Sequence, residues 1–119
     1  MMNTKYDLKE RTFDFALKVR RIINKLPRSY SNLEDGRQVI RSSGSVGANY
    51  IESNDPLGKK DEVMRLKIAR KEANESVFWL RLLKETNHEN LQKELTILID
   101  EAEQLKTILS SIINKVMKK

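Results

Sequence analysis

An unbroken alternation of four- and three-residue steps between apolar side chains constrains the fold of this chain more than any other feature. The stripe consists of Leu91, Leu95, Leu98, Ala102, Leu105, Leu109, Ile112 and Val116. Such spacing keeps one row of side chains on a single side of an α-helix, where the row packs against other helices. A helix cannot bury a row of this length by itself, so the rest of the chain must supply its partners.

Three more segments supply candidate partner helices. Two of them carry similar stripes, which consist of Leu8, Thr12, Phe15, Val19, Ile22 and Leu26, and of Leu66, Ala69, Ala73, Val77 and Leu80. We predict helices over about residues 7–26, 33–53, 59–86 and 89–117. A chain of 119 residues has room for one domain, and its connections are short. We therefore expect a single all-α domain over residues 1–119, an antiparallel up-down-up-down four-helix bundle.

The second predicted helix has glycine and serine at its centre, which alone favours a loop because each glycine costs about 1 kcal/mol in a helix. A face of small and apolar residues nevertheless runs along it, formed by Ile40, Gly44, Gly47, Ala48 and Ile51. Small residues on such a face let another helix approach closely. We expect Ser31 or Asn32 to cap this helix and residues 54–58 to form the turn that follows it.

The first three predicted helices carry more apolar residues than one buried stripe needs. Either these residues widen the face that a thick core buries, or they contact other copies of the chain. We favour self-association, because aromatic side chains such as Phe78 and Trp79 dominate the energetics of protein interfaces. The candidate interface residues are Phe13, Leu17, Val46, Tyr50, Met64, Ile68, Phe78, Trp79 and Leu82.

The formal net charge of +6 is concentrated on the first and third predicted helices. Rows of cations attract phosphates and release counterions when they bind nucleic acid. The candidate nucleic-acid-binding residues are Arg11, Lys18, Arg21, Lys25, Lys60, Lys67, Arg70, Lys71 and Arg81. A solvated face, partly neutralised by nearby carboxylates, is the simpler explanation for one copy, whereas in a closed oligomer the rows repeat and their fields add. Few aromatic residues interleave the cations, so we expect recognition of the backbone or shape of structured RNA or DNA rather than base stacking.

Signatures of an enzyme are missing from the sequence. His88 is the only histidine and there is no cysteine, which leaves neither a histidine pair for a metal nor a catalytic triad. We expect no enzymatic activity, no cofactor, no metal and no small-molecule substrate. The N-terminus has no apolar h-region and no run of about 18 apolar residues occurs, so we expect a soluble cytoplasmic protein without a membrane partner.

One polar cluster projects from a single side of the second predicted helix. Its members, at steps of three or four, are Gln38, Arg41, Ser45, Asn49 and Glu52. Such a cluster is either a ligand or catalytic site or a satisfied polar network. Since no histidine, metal-ligand set or nucleophile–base pair accompanies it, we favour a structural network in which Arg41 pairs with a carboxylate.

The same segment resembles a known family. Residues 38–52 follow the pattern Q-x-x-R-S-x-x-S-V-x-A-N-x-x-E, which is typical of the four-helix-bundle proteins encoded in 23S rRNA intervening sequences. Leu26-Pro27 resembles the end of that family's first helix, and residues 59–85 resemble its third helix through Ala69, Glu72, Glu75, Trp79 and Leu80. The chain departs from the pattern at Gly47, Tyr50 and Ser53, where relatives often carry proline, isoleucine and glycine.

The resemblance implies a bacterial four-helix bundle that assembles as a homopentamer. It also implies kinship with the accessory proteins of diversity-generating retroelements, which are pentamers that bind nucleic acid through basic surfaces. Two functions stay open at this point. The protein is either an oligomer that binds rRNA or another nucleic acid, or a protein–protein adaptor or assembly scaffold whose cations serve solubility.

Overall fold

Four long helices make up the computed structural model, which describes residues 4–119 and, within the first helix, side chains from residue 8 onward. They are α1 (Thr4–Ile23), α2 (Tyr30–Ser53), α3 (Lys59–Glu85) and α4 (Gln92–Lys118), with a 3-10 turn at Glu89–Leu91 before α4. The predicted all-α bundle is confirmed, and no strand occurs in residues 4–119. Over the same range, no helix has the length and apolar character needed to span a membrane. Residues 1–3, on which part of the leader expectation rests, lie outside the described range.

Neighbouring helices run in opposite directions. Between α1 and α4, Arg11 pairs with Glu101 and Lys25 pairs with Glu94, so residue numbers rise along one helix and fall along the other. The same inverse order holds between α2 and α3, where Arg65 contacts Asn49, and Asn87, just after α3, contacts Asn32. Between α3 and α4, Arg70 contacts Ser110 and Lys59 contacts Met117. Each helix therefore packs against two neighbours, as in an up-down-up-down bundle.

The boundary between α1 and α2 differs from the prediction by three residues on each side. α1 ends at Ile23 rather than near Leu26, because the chain tightens before Pro27 and the amides of Lys25 and Leu26 donate to carbonyls only three residues earlier. α2 begins at Tyr30, and its cap is Ser29, whose hydroxyl accepts a hydrogen bond from the Asn32 amide at 3.1 Å. The expectation that Ser31 or Asn32 caps this helix was therefore wrong.

Asn32 instead joins two connections of the bundle. Its side-chain amide donates to the Pro27 carbonyl at 2.9 Å and to Asn87 Oδ1 at 2.9 Å. Asn87 lies in the connection between α3 and α4, and its amide donates back to Asn32 Oδ1 at 2.8 Å. Because Asn32 is buried, this reciprocal pair satisfies groups that would otherwise be costly to enclose.

The apolar rows of α1, α3 and α4 form the core as predicted, apart from three edge positions. Leu26 and Val77 are only half-buried. On α4 the core contains Ile113 rather than the predicted Ile112, which is half-buried. A straight α-helix has 3.6 residues per turn, so a strict seven-residue pattern drifts by about 20° per repeat and the buried position moves along by one residue.

On α2, the buried side coincides only in part with the face of small and apolar residues identified from the sequence. Val46 and Tyr50 are only 0% and 2% exposed, whereas Ala48 and Ile51 lie on the outside. Side chains enclosed in this way have no surface to offer a second copy. The prediction that Val46 and Tyr50 belong to an interface between copies is therefore wrong.

Serine hydroxyls explain why the buried face of α2 was difficult to recognise. Ser42 and Ser43 are fully buried, yet each hydroxyl hydrogen-bonds a backbone carbonyl one turn earlier in the helix. The Ser42 hydroxyl also lies 2.7 Å from the hydroxyl of Ser76 on α3, which donates to the Glu72 carbonyl. Small side chains with locally satisfied hydroxyls thus serve as core residues where α2 and α3 approach each other.

The predicted close approach of a helix to the glycines of α2 does occur. An added Cβ at Gly47 would lie 3.1 Å from Thr12 Oγ1 and 3.2 Å from Thr12 Cβ on α1. Thr12 is buried, so it has little room to move. An added Cβ at Gly44 would lie 3.1 Å from the Arg20 guanidinium, which is the end of a flexible side chain. Of these two glycines, Gly47 is therefore the one that packing requires.

The polar cluster of α2 connects this helix to α3. Arg41 bridges two carboxylates on successive turns of α3, with Nη1 3.2 Å from Glu72 Oε1 and Nη2 2.7 Å from Glu75 Oε1. We call these three residues the α2–α3 clamp. Further along the cluster, Asn49 donates to the Ser45 carbonyl and hydroxyl, and its own oxygen accepts from Arg65. The clamp therefore gives the cluster a structural role.

The other two predicted members of the cluster take no part in these bonds. Gln38 is half-buried on α2 and Glu52 is exposed near the end of the helix. The structural network thus comprises the central three of the five predicted residues, completed by partners on α3.

The two carboxylates of the clamp have different electrostatic environments. Burial, followed by a hydrogen bond that the protonated Glu72 carboxyl donates to Glu75, raises the pKa of Glu72 above its usual value. The hydrogen bond from the Arg41 guanidinium lowers the pKa of Glu75. The charged form is therefore favoured by folding at Glu75 and disfavoured at Glu72.

Alanine substitutions at the two glycines provide a test of the packing. We expect Gly47→Ala to lower the free energy of unfolding by about 1 kcal/mol, because overpacking against Thr12 outweighs the gain in helix propensity. Gly44→Ala, as the matched control, should raise it by about 0.5–1 kcal/mol, since Arg20 can move aside. Urea denaturation measures both values. Equal stabilisation by the two substitutions would contradict the close approach of α1 at Gly47.

Glutamine substitutions test the clamp and its dependence on pH. At neutral pH, Glu75→Gln should lower the free energy of unfolding by about 0.5–1 kcal/mol, and the matched variant Glu72→Gln should cost less. Because the pKa of Glu75 is lowered by folding, its carboxylate stabilises the protein above the ordinary carboxyl pKa, about 4.3. This stabilisation is lost as the pH falls through the pKa that Glu75 has in the folded state. Urea titrations between about pH 7 and pH 3 should therefore show the Glu75→Gln deficit shrinking in acid.

The raised pKa of Glu72 acts in the opposite direction, since the cost of its buried charge is relieved as the pH falls through that pKa. A larger cost at neutral pH for Glu72→Gln than for Glu75→Gln would contradict this assignment. So would a deficit of Glu75→Gln that does not change with pH.

Candidate nucleic-acid interface

A basic surface of the bundle lies on the exposed side of α3, between the flanks that pack against α2 and α4. We call it the α3 outer face. All of its members are exposed, and they are Lys60, Met64, Lys67, Lys71, Asn74, Phe78, Arg81 and Glu85. Four of these side chains are cations and one is an anion, so the face is strongly positive.

The geometry of a regular helix places these cations in one row. At about 100° per residue, Lys67 and Lys71 lie within about 20° of Lys60 around the helix axis, and Arg81 lies about 60° away. A rise of about 1.5 Å per residue makes the row about 30 Å long. One strand of a nucleic-acid duplex advances about 3.4 Å per phosphate, so a row of this length can follow several phosphates.

The four cations of the α3 outer face are free of carboxylate partners within the part of the chain that the structure describes. Three of the neighbouring acids on α3 are engaged elsewhere, because Asp61 faces Arg65, and Glu72 and Glu75 bind Arg41. Glu62 and Glu85 form no ion pair with the four cations among the described residues, although Glu85 lies one turn after Arg81 on the same face. An anion that approaches the face therefore meets cations that hold no ion-pair partner.

Arg70 was predicted to join this row, but it lies on another side of α3. Its guanidinium is half-buried and Nη1 donates to the Ser110 hydroxyl of α4 at 3.3 Å. On a helical wheel Arg70 is about 80° from Lys60, toward α4. It therefore packs at the seam between α3 and α4 instead of facing solvent.

The cations predicted on α1 are mostly neutralised. Arg11 forms a bidentate pair with Glu101, at 2.7 and 3.1 Å, and also donates to Gln104. The ammonium groups of Lys18 and Lys25 lie 2.9 Å from Asp14 and 3.3 Å from Glu94, respectively. Arg21 is exposed and makes no ion pair with any described residue. The outer side of α1 thus presents one uncompensated cation of the four predicted there.

The predicted interface residues outside the core fall into two groups. Phe13, Met64 and Phe78 are strongly exposed, at 66%, 48% and 55%. The half-buried group consists of Leu17, Ile68, Trp79 and Leu82. Residues of the first group offer the most apolar surface to a partner.

Two of the apolar interface candidates on α3 lie on the same face as the cations. Phe78 lies on the same line as Lys60 on the helical wheel, and Met64 lies about 40° away. Both are exposed between cations of the row. A helical wheel of α3 already places Met64 and Phe78 beside these cations. Whether that side is exposed follows only from knowing which sides of α3 contact α2 and α4.

The surroundings of Phe78 include the indole of Trp79. The two rings are 5.0 Å apart and inclined at 79°, an edge-to-face arrangement. Trp79 Nε1 donates to Glu75 Oε1 at 3.3 Å, which links the aromatic pair to the α2–α3 clamp. On its other side, Phe78 borders a shallow groove between α3 and α4 that also involves Leu82 and Ile99.

These features allow the α3 outer face to hold a polyanion by charge, and they offer apolar and aromatic surface beside the charges. Within the described residues, no group of histidine, aspartate and glutamate side chains is arranged to hold a metal ion. His88 lies exposed at the start of the turn before α4, as expected for a lone loop residue.

Comparison with known proteins agrees with the fold. The chain is similar to a protein of unknown function from the S23 ribosomal protein family of Bacteroides thetaiotaomicron, whose crystal structure was determined at 1.70 Å resolution. The two share 27% sequence identity and superpose with a TM-score of 0.83, over 92% of this chain and 97% of the other. No curated protein matches the chain. Residues 4–111 match the 23S rRNA-intervening sequence protein family, and the chain belongs to that family.

Proposed function

We propose that this protein is a non-enzymatic helical bundle that binds the phosphate backbone of structured nucleic acid through the α3 outer face. The observation that supports the proposal is the row of Lys60, Lys67, Lys71 and Arg81. All four are exposed and none is paired with a carboxylate among the described residues. Phosphate groups are the polyanionic ligand that matches a row of this kind.

Unpaired cations gain more from phosphate than paired ones do. Each of them can contact a phosphate and release a condensed counterion without first breaking an ion pair. Arg11 on α1, by contrast, would have to give up its bidentate bonds to Glu101. The paired cations of α1 are therefore a secondary contact at most, and the α3 outer face is the primary one.

Self-association is the second part of the proposal. The exposure of Phe13 on α1 supports it, since this side chain lies outside the α3 outer face and does not pack against the core. An assembly in which α1 packs against a surface other than α3 would leave the α3 outer face of every copy in solvent, where the rows of cations repeat and their fields add. An assembly that buries Met64 and Phe78 would instead cover the cations between them.

A charge reversal on the α3 outer face tests the proposal. The triple variant Lys67→Glu, Lys71→Glu, Arg81→Glu should bind an RNA hairpin with a stem of about 20 base pairs at least about tenfold more weakly than the unchanged protein. The slope of log affinity against log salt should fall in magnitude by about 2.7, which corresponds to three lost phosphate contacts. Fluorescence anisotropy at several salt concentrations measures both quantities.

A second triple variant serves as the matched control. Lys9→Glu, Arg28→Glu, Lys93→Glu also reverses three exposed cations, and both variants take the formal net charge from +6 to zero. If net charge alone governs binding, the two variants will lose the same affinity, which contradicts a site on α3. Salt-independent binding, or none, together with capture of protein partners through Phe78, would favour the adaptor function instead.

A further inference from the structure

Phe78 occupies an unusual position for an apolar side chain, because it stands exposed within a row of uncompensated cations. Lys71 lies about two turns before it, and Arg81 lies less than one turn after it on the same side of α3. The ring is 55% exposed, although an aromatic side chain gains free energy from burial. Its position therefore favours contact with a ligand that also carries the negative charges for its neighbours.

The Phe78 ring is held in place by a chain of contacts that starts on α2. Arg41 binds Glu75, the Glu75 carboxylate accepts a hydrogen bond from Trp79 Nε1, and the Trp79 indole packs edge-to-face with Phe78. A ring whose motion is restricted by a packed neighbour loses less conformational entropy when it binds a flat partner. The contact with Trp79 therefore favours stacking on Phe78.

The groove beside Phe78 has a matching composition. Leu82 and Ile99 contribute apolar surface to it, Arg81 and Lys84 contribute positive charge, and Glu85 is the acid in the lining. A nucleotide within a strand combines the aromatic face of its base with a phosphate on each side of its sugar. The groove and the cations around it therefore complement an unpaired nucleotide better than an uncharged apolar segment of a protein.

We propose that Phe78 stacks on an unpaired nucleobase while Lys71 and Arg81 contact the phosphates that flank it. This inference rests on the proposed function and narrows it, since the preferred ligand becomes a nucleic acid with a bulge, loop or single-stranded segment. Bases inside a regular duplex are stacked on one another and cannot reach a side chain on a helix surface. The expectation from sequence that base stacking is absent is replaced, because Phe78 lies exposed between cations of the row.

A pair of RNA probes tests the inference. One is a blunt duplex of about 20 base pairs, and the other is the same duplex with a single bulged 2-aminopurine. Stacking on an aromatic side chain is worth about 1–3 kcal/mol per base, which is about fivefold or more in affinity. The unchanged protein should therefore bind the bulged RNA at least about fivefold more tightly, and it should quench the fluorescence of the 2-aminopurine.

Three variants complete the experiment. Phe78→Leu keeps an apolar side chain without an aromatic face, and it should bind both RNAs with the affinity that the unchanged protein has for the blunt duplex. Phe78→Tyr keeps the aromatic face and should retain the preference for the bulge. Tyr30→Leu removes an exposed ring from α2, outside the α3 outer face, and should behave as the unchanged protein does.

Failure of this inference differs from failure of the proposed function. Salt-sensitive binding of both RNAs with equal affinity and no quenching would overturn the stacking role of Phe78 and leave the α3 outer face as a backbone-binding site. If light scattering shows that Phe78→Leu changes the number of chains in the assembly, Phe78 belongs to a contact between copies and the inference is overturned. Absence of salt-sensitive binding to either RNA would overturn both proposals. Quenching of the 2-aminopurine fluorescence is measured with the unchanged protein, so this part of the test does not depend on how Phe78→Leu folds.

Discussion

The packing of each helix between two antiparallel neighbours is the constraint on which the rest of this structure depends. It assigns two flanks and an inner side of every helix to contacts within the bundle and leaves one side to solvent. On α3, the flank toward α2 holds Glu72 and Glu75, and the flank toward α4 holds Arg70. Only the remaining side is available to a partner, and that side carries the α3 outer face.

The same constraint explains why the charges of α1 and α3 differ in their availability. Cations on α1 lie near carboxylates of α1 itself or of α4, as the pairs of Lys18 with Asp14 and of Arg11 with Glu101 show. On α3, Arg41 of α2 and Arg65 engage the nearby acids. Glu72 and Glu75 therefore help to hold α2 and α3 together, and the cations of the α3 outer face hold no ion-pair partner among the described residues.

The fold was predictable from the sequence because long stripes at helical spacing have few alternative interpretations. The clearest stripe, on α4, was correct except near its end, where Ile113 replaces Ile112. The face of α2 was not predictable in the same way. Its buried side contains serines, and whether a serine can be buried depends on a hydrogen bond such as that between Ser42 and Ser76, which connects residues far apart in the chain.

The sequence identified the cations of the candidate site, but it did not show which of them form ion pairs or that Phe78 lies among them. Lys60, Lys67, Lys71 and Arg81 were all identified from charge and spacing, but pairing partners on other helices decide which cations are free. The position of Phe78 among them also depends on which sides of α3 contact α2 and α4. Neither fact is contained in the periodicity of a single segment.

Chemical footprinting of lysines tests the central claim, that the α3 outer face binds nucleic acid, most directly. The protein is acetylated with and without an RNA hairpin, and the modified peptides are quantified by mass spectrometry. The account predicts that RNA protects Lys67 and Lys71, while the exposed Lys9 and Lys93 react to the same extent in both samples. Equal protection of all four lysines, or protection of Lys67 and Lys71 that rises with protein concentration in the absence of RNA, would contradict the claim.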